Sequence, residues 1–374
     1  MSAAESDYRV VDVPVPSSPT DEPSWQSRAS AELASRLEAE VWGVDDFAIK
    51  AEDVVVGLSH QEDTVKLRAV AVPAEVAEPT AADAVGVLNV RMPIHDNTTS
   101  ADIWLGTRPD ARRHGVGEAL WQHALQQIRA HGRTVVQAWS SFGTEPAADD
   151  PEALAAPTGS GRVPGADPAT RFALARGFRL EQAERHSVLD LPVAPESLER
   201  FRADALAKSG PDYETVTWDD HVPEKWIDSY CVLLRSMSTD APSAGLTTEE
   251  EQWTPERVRR MEAAASGQGW RELATAALHR PTGELAGYTA FAFKDSQPEV
   301  TFQENTIVRA DHRGHRLGML LKAANLELLA RERPGSARVH TWNAEENDHM
   351  LSINVALGFR PAGGGAAWEL TLDA

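Results

Sequence analysis

The 374-residue sequence predicts an α/β protein made of two copies of one layered domain. Residues 103–133 read IWLGTRPDARRHGVGEALWQHALQQIRAHGR, and residues 304–333 read ENTIVRADHRGHRLGMLLKAANLELLARER. Each is a short apolar strand, an Arg- and Gly-rich loop and an amphipathic helix. A helix ending in Gly-Phe follows in both, at Gly177-Phe178 and Gly358-Phe359. The length exceeds what one ordinary core fills and suits two domains.

Residues 1–8 are polar and read as a loose tail without the basic start and apolar run of a secretory signal. Residues 9–15 suit a first strand, and a Pro/Ser/Asp stretch at 16–24 leads into a helix over 25–42. Strands follow at 64–72 and 84–92. Residues 101–107 run into the first glycine loop. Its helix, 118–131, puts Leu120, Ala124, Leu125 and Ile128 on one face before Gly132. Residues 134–139 are the next strand. The Ala-, Pro-, Gly- and Asp-rich stretch 143–168 reads as a long surface loop, a candidate for disorder. Asp167-Pro168 starts a helix that ends at Gly177. A strand at 184–191 closes the first domain, 9–191, and 192–213 is a linker or bridging helix. The second domain, 214–374, repeats the order. It has a strand at 214–218, helices at 223–237 and 255–265, and a hairpin of 273–279 with 285–293 around RPTGE. Then come strand 301–308, helix 317–332, strand 337–342, helix 345–357 and a last strand near 367–372.

Charged residues make up 25% and apolar residues 42%, the balance of a soluble globular chain. No apolar run approaches the roughly 18 residues of a membrane span. One cysteine, Cys231, allows no internal disulfide, so the expectation is a cytoplasmic protein without a membrane partner. The 57 acidic and 36 basic residues give a net charge of −21. That excludes nucleic acid as the expected partner and suits a small cationic molecule. A monomer or homodimer is expected.

The strand–loop–helix unit is a device for a phosphate chain. The first turn of a helix has free N–H groups and the positive end of the helix dipole, and glycine lets that backbone approach closely. At these residues the chain resembles the GNAT superfamily of acetyl-CoA-dependent N-acyltransferases. That family's pyrophosphate loop has Gln or Arg, two residues, Gly, one residue, then Gly or Ala. Arg112, Gly115 and Gly117 match it in full. In the second copy Arg313 and Gly318 match, Gly314 adds a glycine, and Arg316 stands where the middle glycine belongs, with His315 and Leu317 completing the loop. The family's strand before the loop pairs with the pantetheine amides, which assigns Leu105–Thr107 and Ile307–Val308 to that role. Its next helix has Asn at the start, Tyr seven residues on, and a terminal Gly-Phe. The second copy has Asn347, then Asn354 in place of the Tyr, with Asn343 at the exit of the preceding strand; the first has Ala166 and Ala173.

The resemblance covers about residues 9–191 and 214–372. It implies two tandem domains, each with a mixed, mostly antiparallel central sheet flanked by helices. It also implies acetyl-CoA, or another acyl-CoA, as co-substrate, a primary amine on a small cationic acceptor, and no metal. The C-terminal copy reads as active and the N-terminal copy as degenerate. Such enzymes commonly use a Glu on the fourth strand as base and the helix Tyr as acid. Glu304, four residues before Val308 and so on its face of a regular strand, is the candidate base. Asp102, five before Thr107, faces the other way. Asn354 can hold a hydrogen bond but cannot serve as an acid; the carboxylate of Ala374 is the other candidate. The alternative from another class is a non-catalytic CoA or acyl-CoA sensor or scaffold.

Other residues have simpler readings. His312 and His315 are spaced like metal ligands but read as solvated loop histidines. Trp104, Trp121, Trp139, Trp342 and Trp368 read as core, as does Cys231. Glu249-Glu250-Glu251 reads as a solvated helix end that falls where the family builds its acceptor rim.

Overall fold

The computed structural model describes residues 7–373, so the expectations for residues 1–6 and for Ala374 lie outside the described residues. The first half contains β1 (Tyr8–Asp12), α1 (Trp25–Trp42), α2 (Ala51–Ser59), β2 (Thr64–Pro73), β3 (Gly86–Pro93), β4 (Ser100–Thr107) and α3 (Val116–Ala130). It continues with β5 (Val135–Phe142), β6 (Ala153–Ala155), β7 (Arg162–Pro164), α4 (Pro168–Ala175) and β8 (Arg179–Asp190). A bridging helix, α5 (Pro195–Ser209), leads to the second half. That half contains β9 (Tyr213–Asp219), α6 (Ile227–Asp240), α7 (Pro255–Gly267), β10 (Trp270–His279), β11 (Glu284–Lys294) and β12 (Val300–Val308). It ends with α8 (Leu317–Glu332), β13 (Arg338–Ala344), α9 (Asp348–Leu357) and β14 (Arg360–Thr371).

Local chemistry sets the helix ends as expected. Ser24 caps α1 by accepting from the Ser27 N–H, and Gly43, at φ 71°, ends it in the left-handed region that favours glycine. Asp167 caps α4 ahead of Pro168. The stretch 143–168, expected as a loop prone to disorder, instead carries the β6–β7 hairpin. Val163 and Ala156 bury themselves in the first core and outweigh the polar composition around them.

Twelve strands form one sheet in the order β1-β2-β3-β4-β5-β14-β8-β13-β12-β11-β10-β9. The first half's last strand, β8, does not close its own sheet, contrary to the sequence expectation. The slot beside β5 is taken by β14, from the end of the chain, and β8 pairs in turn with β13. Each half thus lends its final strand to the other. The boundary near residue 191 divides the sequence, while the hydrogen-bonded sheet runs through it.

In each half two neighbouring strands run parallel and then part. β4 and β5 pair from Ser100↔Val135 to Ile103↔Ala138, and β12 and β13 from Val300↔Arg338 to Phe302↔His340. Beyond those pairs the backbone of β4 and β12 has no neighbour on that side. α1 and α6 pack on the face that we call the front, through Leu33 and Leu37 against Val70 and Val87, and through Tyr230 and Leu233 against Ala274 and Tyr288. α3 and α8 pack on the back, with α4 and α9 beside them.

The segments after α1 and α6 cross between halves. Asp46, only 5% exposed, is held by Arg338 and by His340 Nε2 at 2.7 Å, and Phe47 packs against Phe302, His340 and Trp342. In the opposite direction Thr247 donates to the buried Glu369 while its carbonyl accepts from Gln137. Glu249 meets Asn97, and Arg257 meets Asp96 at 2.5 Å. In the acidic stretch 249–251, Glu249 and Glu250 are exposed as read, and Glu249 is also an inter-half contact.

Candidate active site

Both glycine loops have one backbone shape. Two left-handed positions occur in each, at Arg113 (φ 67°) and Gly115 (φ 93°), and at Gly314 (φ 84°) and Arg316 (φ 57°). Glycine and arginine exchange places between copies. Arg316 adopts the conformation that the glycine pattern assigns to a glycine, at a strain cost of order 1 kcal/mol, and caps α8 from there with its side chain exposed. The first helical bonds run from Ala119 N–H to Gly115 O and from Leu320 N–H to Arg316 O. The N–H groups just before Ala119 and Leu320 thus point out of the helix ends, where they suit an anion.

The loop arginines, expected at the phosphates, bind elsewhere. Arg112 donates to the Thr107 carbonyl and grips Glu40 at 2.6 and 2.8 Å. Arg313 donates to the Val308 carbonyl and to Asp240 at 2.7 Å. Arg112 ties its strand end to α1 and Arg313 ties its own to α6, so neither guanidinium is left for an anion at the helix start. Gly117 and Gly318 are explained by packing. A Cβ would lie 2.9 Å from Phe172 in one copy and 3.2 Å from Ile353 in the other, so both let the next helix close in. Leu317 and Ile307 bury their side chains in the core and offer only backbone. His315 packs against Tyr213, and His312, read as solvated, is buried with its Nδ1 2.8 Å from the Tyr213 hydroxyl.

The halves differ on the strand before the loop. β4 pairs with β3 without interruption, but β12 carries a β-bulge against β11. Thr306 faces Thr289 while Gln303 faces Phe291, so β12 has one residue more than its partner there. A bulge turns consecutive side chains to one face. Glu304 and Asn305 both look to the front, Glu304 towards Glu272 and Asn305 towards the Tyr288 hydroxyl. The expectation that Glu304 shares a face with Val308 therefore fails, because Val308 packs behind the sheet against α8. Asp102 faces the front too, but opposite Gln137, where β4 and β5 are still paired. Glu304 lies past the last β12–β13 pair, in the opening itself.

At the start of α9, Asn347 is a helix cap that accepts from Met350 N–H at 3.2 Å. Asn354 is 2% exposed, donates through Nδ2 to Asn343 Oδ1 at 2.7 Å, and leaves its own Oδ1 buried without a partner among the described residues. Glu304 on β12 and Asn343 on β13 both lie past the last pair of those strands, and Asn343 is tied to Asn354 on α9. The first half brings together only its loop, Thr107 and the opening.

Residues 62–149 match the family model described as Acetyltransferase (GNAT) family. Among solved structures the chain is similar to a tandem GNAT protein from the clavulanic acid biosynthesis pathway. The two share 27% identity over 98% of this chain and 99% of that one, with a TM-score of 0.68. The first half of this chain carries a GNAT-family domain, and the whole chain has the fold of a tandem GNAT protein. The fold also matches a GCN5-related N-acetyltransferase from Sphaerobacter thermophilus, at 16% identity over 98% and 96% of the chains and a TM-score of 0.56. No curated protein sequence matches it. The family match falls on the first GNAT half, the one with the complete glycine motif and without the bulge.

The front of the second GNAT opening is acidic and poor in counter-ions. Glu304 is exposed as a residue, yet the protein atoms around it desolvate its carboxyl and push it above the ordinary value. Burial and the neighbouring Glu304 charge raise Glu272 to about 8. Burial and Glu346 raise Glu184, on β8, to about 7. Trp342 borders the same side, stacked on His186 at 4.5 Å and covered by Trp42 and Phe47 of the first half. Trp139, at the equivalent place on β5 and expected in the core, is 39% exposed. Sequence reading missed Gln303, Asn305, Glu272 and Glu184. One signal was present: the polar run QENT at 303–306 interrupts the in–out alternation of a half-buried strand, as a bulge does.

Proposed function

We propose that the second GNAT half is an N-acyltransferase that uses acetyl-CoA, or another acyl-CoA, to acylate a primary amine of a small cationic acceptor. The observation that carries this reading is the position of Glu304, lifted by the bulge onto the acidic front face where β12 leaves β13. The acyl-CoA supplies the activated acyl group. Backbone groups of residues 304–308 lack a strand on the β13 side and suit the pantetheine amides, and the N-terminus of α8 suits the pyrophosphate.

Glu304 accepts the proton that an ammonium must lose before its nitrogen can attack. A carboxyl pushed upward towards neutrality is a better base there than one in the ordinary range. Glu184 and Glu272 are held partly protonated near neutrality, and an approaching cation would favour their ionised forms. The attacking nitrogen gives up its second proton as the C–S bond breaks, the departing sulfur takes it up, and the free Oδ1 of Asn354, which itself has no proton to give, can accept from the resulting S–H. The first half has Ala173 where the second has Asn354 and no counterpart of Glu304, which favours binding of CoA there without turnover.

Acetyl-CoA titration by calorimetry, with a thiol-release assay over a panel of small amines, tests the proposal. Binding and amine-dependent thiol release are expected, strongest for cationic acceptors. Binding without release for any amine would favour the sensor reading, and no binding at millimolar acetyl-CoA would remove both.

A further inference from the structure

The bulge that aims Glu304 has its own support. A regular ladder would give the Ala290 carbonyl a donor from β12, and the extra residue takes that donor out of register. Gln303 fills the gap. Its Nε2 lies 2.8 Å from Ala290 O, 3.0 Å from Glu304 O and 3.0 Å from Thr289 Oγ1. One carboxamide thus serves a carbonyl on each strand, one of them the backbone of Glu304 itself. Thr289 is fully buried and shares a 2.7 Å hydroxyl contact with Thr306, the first residue back in register. Gln303 is 8% exposed and points to the back, away from the acceptor side. The first half supplies the control within the same chain. Ile103 pairs with Val90 in an unbroken ladder, and the strand has no bulge.

We propose that Gln303 is a positioning residue: its side-chain amide holds the β12 bulge and so fixes Glu304 at the opening, without touching either substrate. A buried amide spent on bulge carbonyls has no equivalent use in a regular strand, where a side chain of this size would leave polar atoms unsatisfied. The proposal rests on Glu304 as the base, and Glu304→Gln tests that point separately.

The experiment compares wild type, Glu304→Gln, Gln303→Met and Thr289→Val in thiol release and acetyl-CoA titration. If Glu304→Gln retains the wild-type rate and pH profile, the reading of the base fails and this inference falls with it. With the base established, Gln303→Met should lower kcat about 10- to 100-fold, the scale of a displaced catalytic group, with acetyl-CoA affinity nearly unchanged. The acid limb of its pH–rate profile should move, because Glu304 no longer sits in the same surroundings. Thr289→Val, which keeps the core volume and removes one contact of the amide, should shift both readouts less and in the same direction. If Gln303→Met does not fold, Thr289→Val decides alone. A lowered melting temperature with unchanged kcat and unchanged pH limb would make Gln303 a packing residue and overturn the proposal.

Discussion

The left-handed loop position held by Gly115 in the first half is held by Arg316 in the second, and that held by Gly314 in the second is held by Arg113 in the first. The two loops keep one backbone with different residues. The strands leading into them do the opposite: similar in sequence position, they differ by the single inserted residue of the β12 bulge. The first comparison teaches that a glycine pattern is a loose guide to a loop, since an arginine can take the left-handed position for about 1 kcal/mol. The second teaches that one inserted residue decides whether a half carries a carboxylate in its opening.

The largest expected effect tests how separate the halves are. Ending the chain before β14 removes the strand between β5 and β8 and exposes edges of both halves. Loss of cooperative folding throughout the chain is expected, read by circular dichroism and amide exchange. A first half that stays folded without β14 would make the strand exchange incidental.

Next come the helix starts. Gly318→Glu forces a side chain towards Ile353 and puts a negative charge in the first turn of α8; Gly117→Glu does the same towards Phe172 in α3. Turnover should be lost only in the first variant. Calorimetry should then find acetyl-CoA binding at the first half alone. The reverse pattern would assign the chemistry to the first half, where the family match falls.

A smaller contrast lies inside the helices. Trp121 on α3 packs against Phe178, with ring centres 5.5 Å apart. On α8, Lys322 takes the corresponding place beside Phe359, 2% exposed and without an ion pair among the described residues. Burial lowers its pKa to about 7. Trp121→Leu should cost about 2–4 kcal/mol as a cavity, whereas Lys322→Leu should stabilise. A lysine lowered in the folded state costs stability as pH falls from its unfolded value near 10.5 towards 7. The pH-dependent part of the gain from Lys322→Leu in denaturant titrations should therefore be largest below about pH 7 and vanish above about pH 11.

The smallest effect concerns the acidic front. Glu272 and Glu184 are raised in the folded state, so their contribution is present below the ordinary glutamate pKa and is lost as pH rises through about 8 and about 7. Glu272→Gln should raise the melting temperature by a few degrees at pH 8 and not at pH 4. Equal shifts at both would mean that ionisation of the buried Glu272 is not what strains this face.

Most of the fold was legible because it rests on local signals. Ser24, Asp167 and the two Gly-Phe ends mark helices by capping chemistry, and the hairpin around RPTGE marks β10 and β11. What stayed hidden is non-local. Nothing near residues 360–371 says that they pair with β5, and nothing near Asp46 says that it meets Arg338 and His340 across the chain. The site was half legible. The loops follow from spacing and Asn343 and Asn354 from the family resemblance; the face of Asp102 opposite Thr107 is as alternation predicts on unbroken β4, but Glu304 was placed on the face of Val308 because alternation fails across the β12 bulge.

The most direct test of the central claim is kcat/KM for a cationic amine as a function of pH in wild type, Glu304→Gln and Asp102→Asn. Wild type should gain activity with pH through an apparent pKa above the ordinary glutamate range, because only the ionised Glu304 accepts a proton. Glu304→Gln should lose that limb and about 100-fold or more in rate, while Asp102→Asn keeps both. A Glu304→Gln enzyme with the wild-type rate and limb, or an Asp102→Asn enzyme without them, would contradict the account.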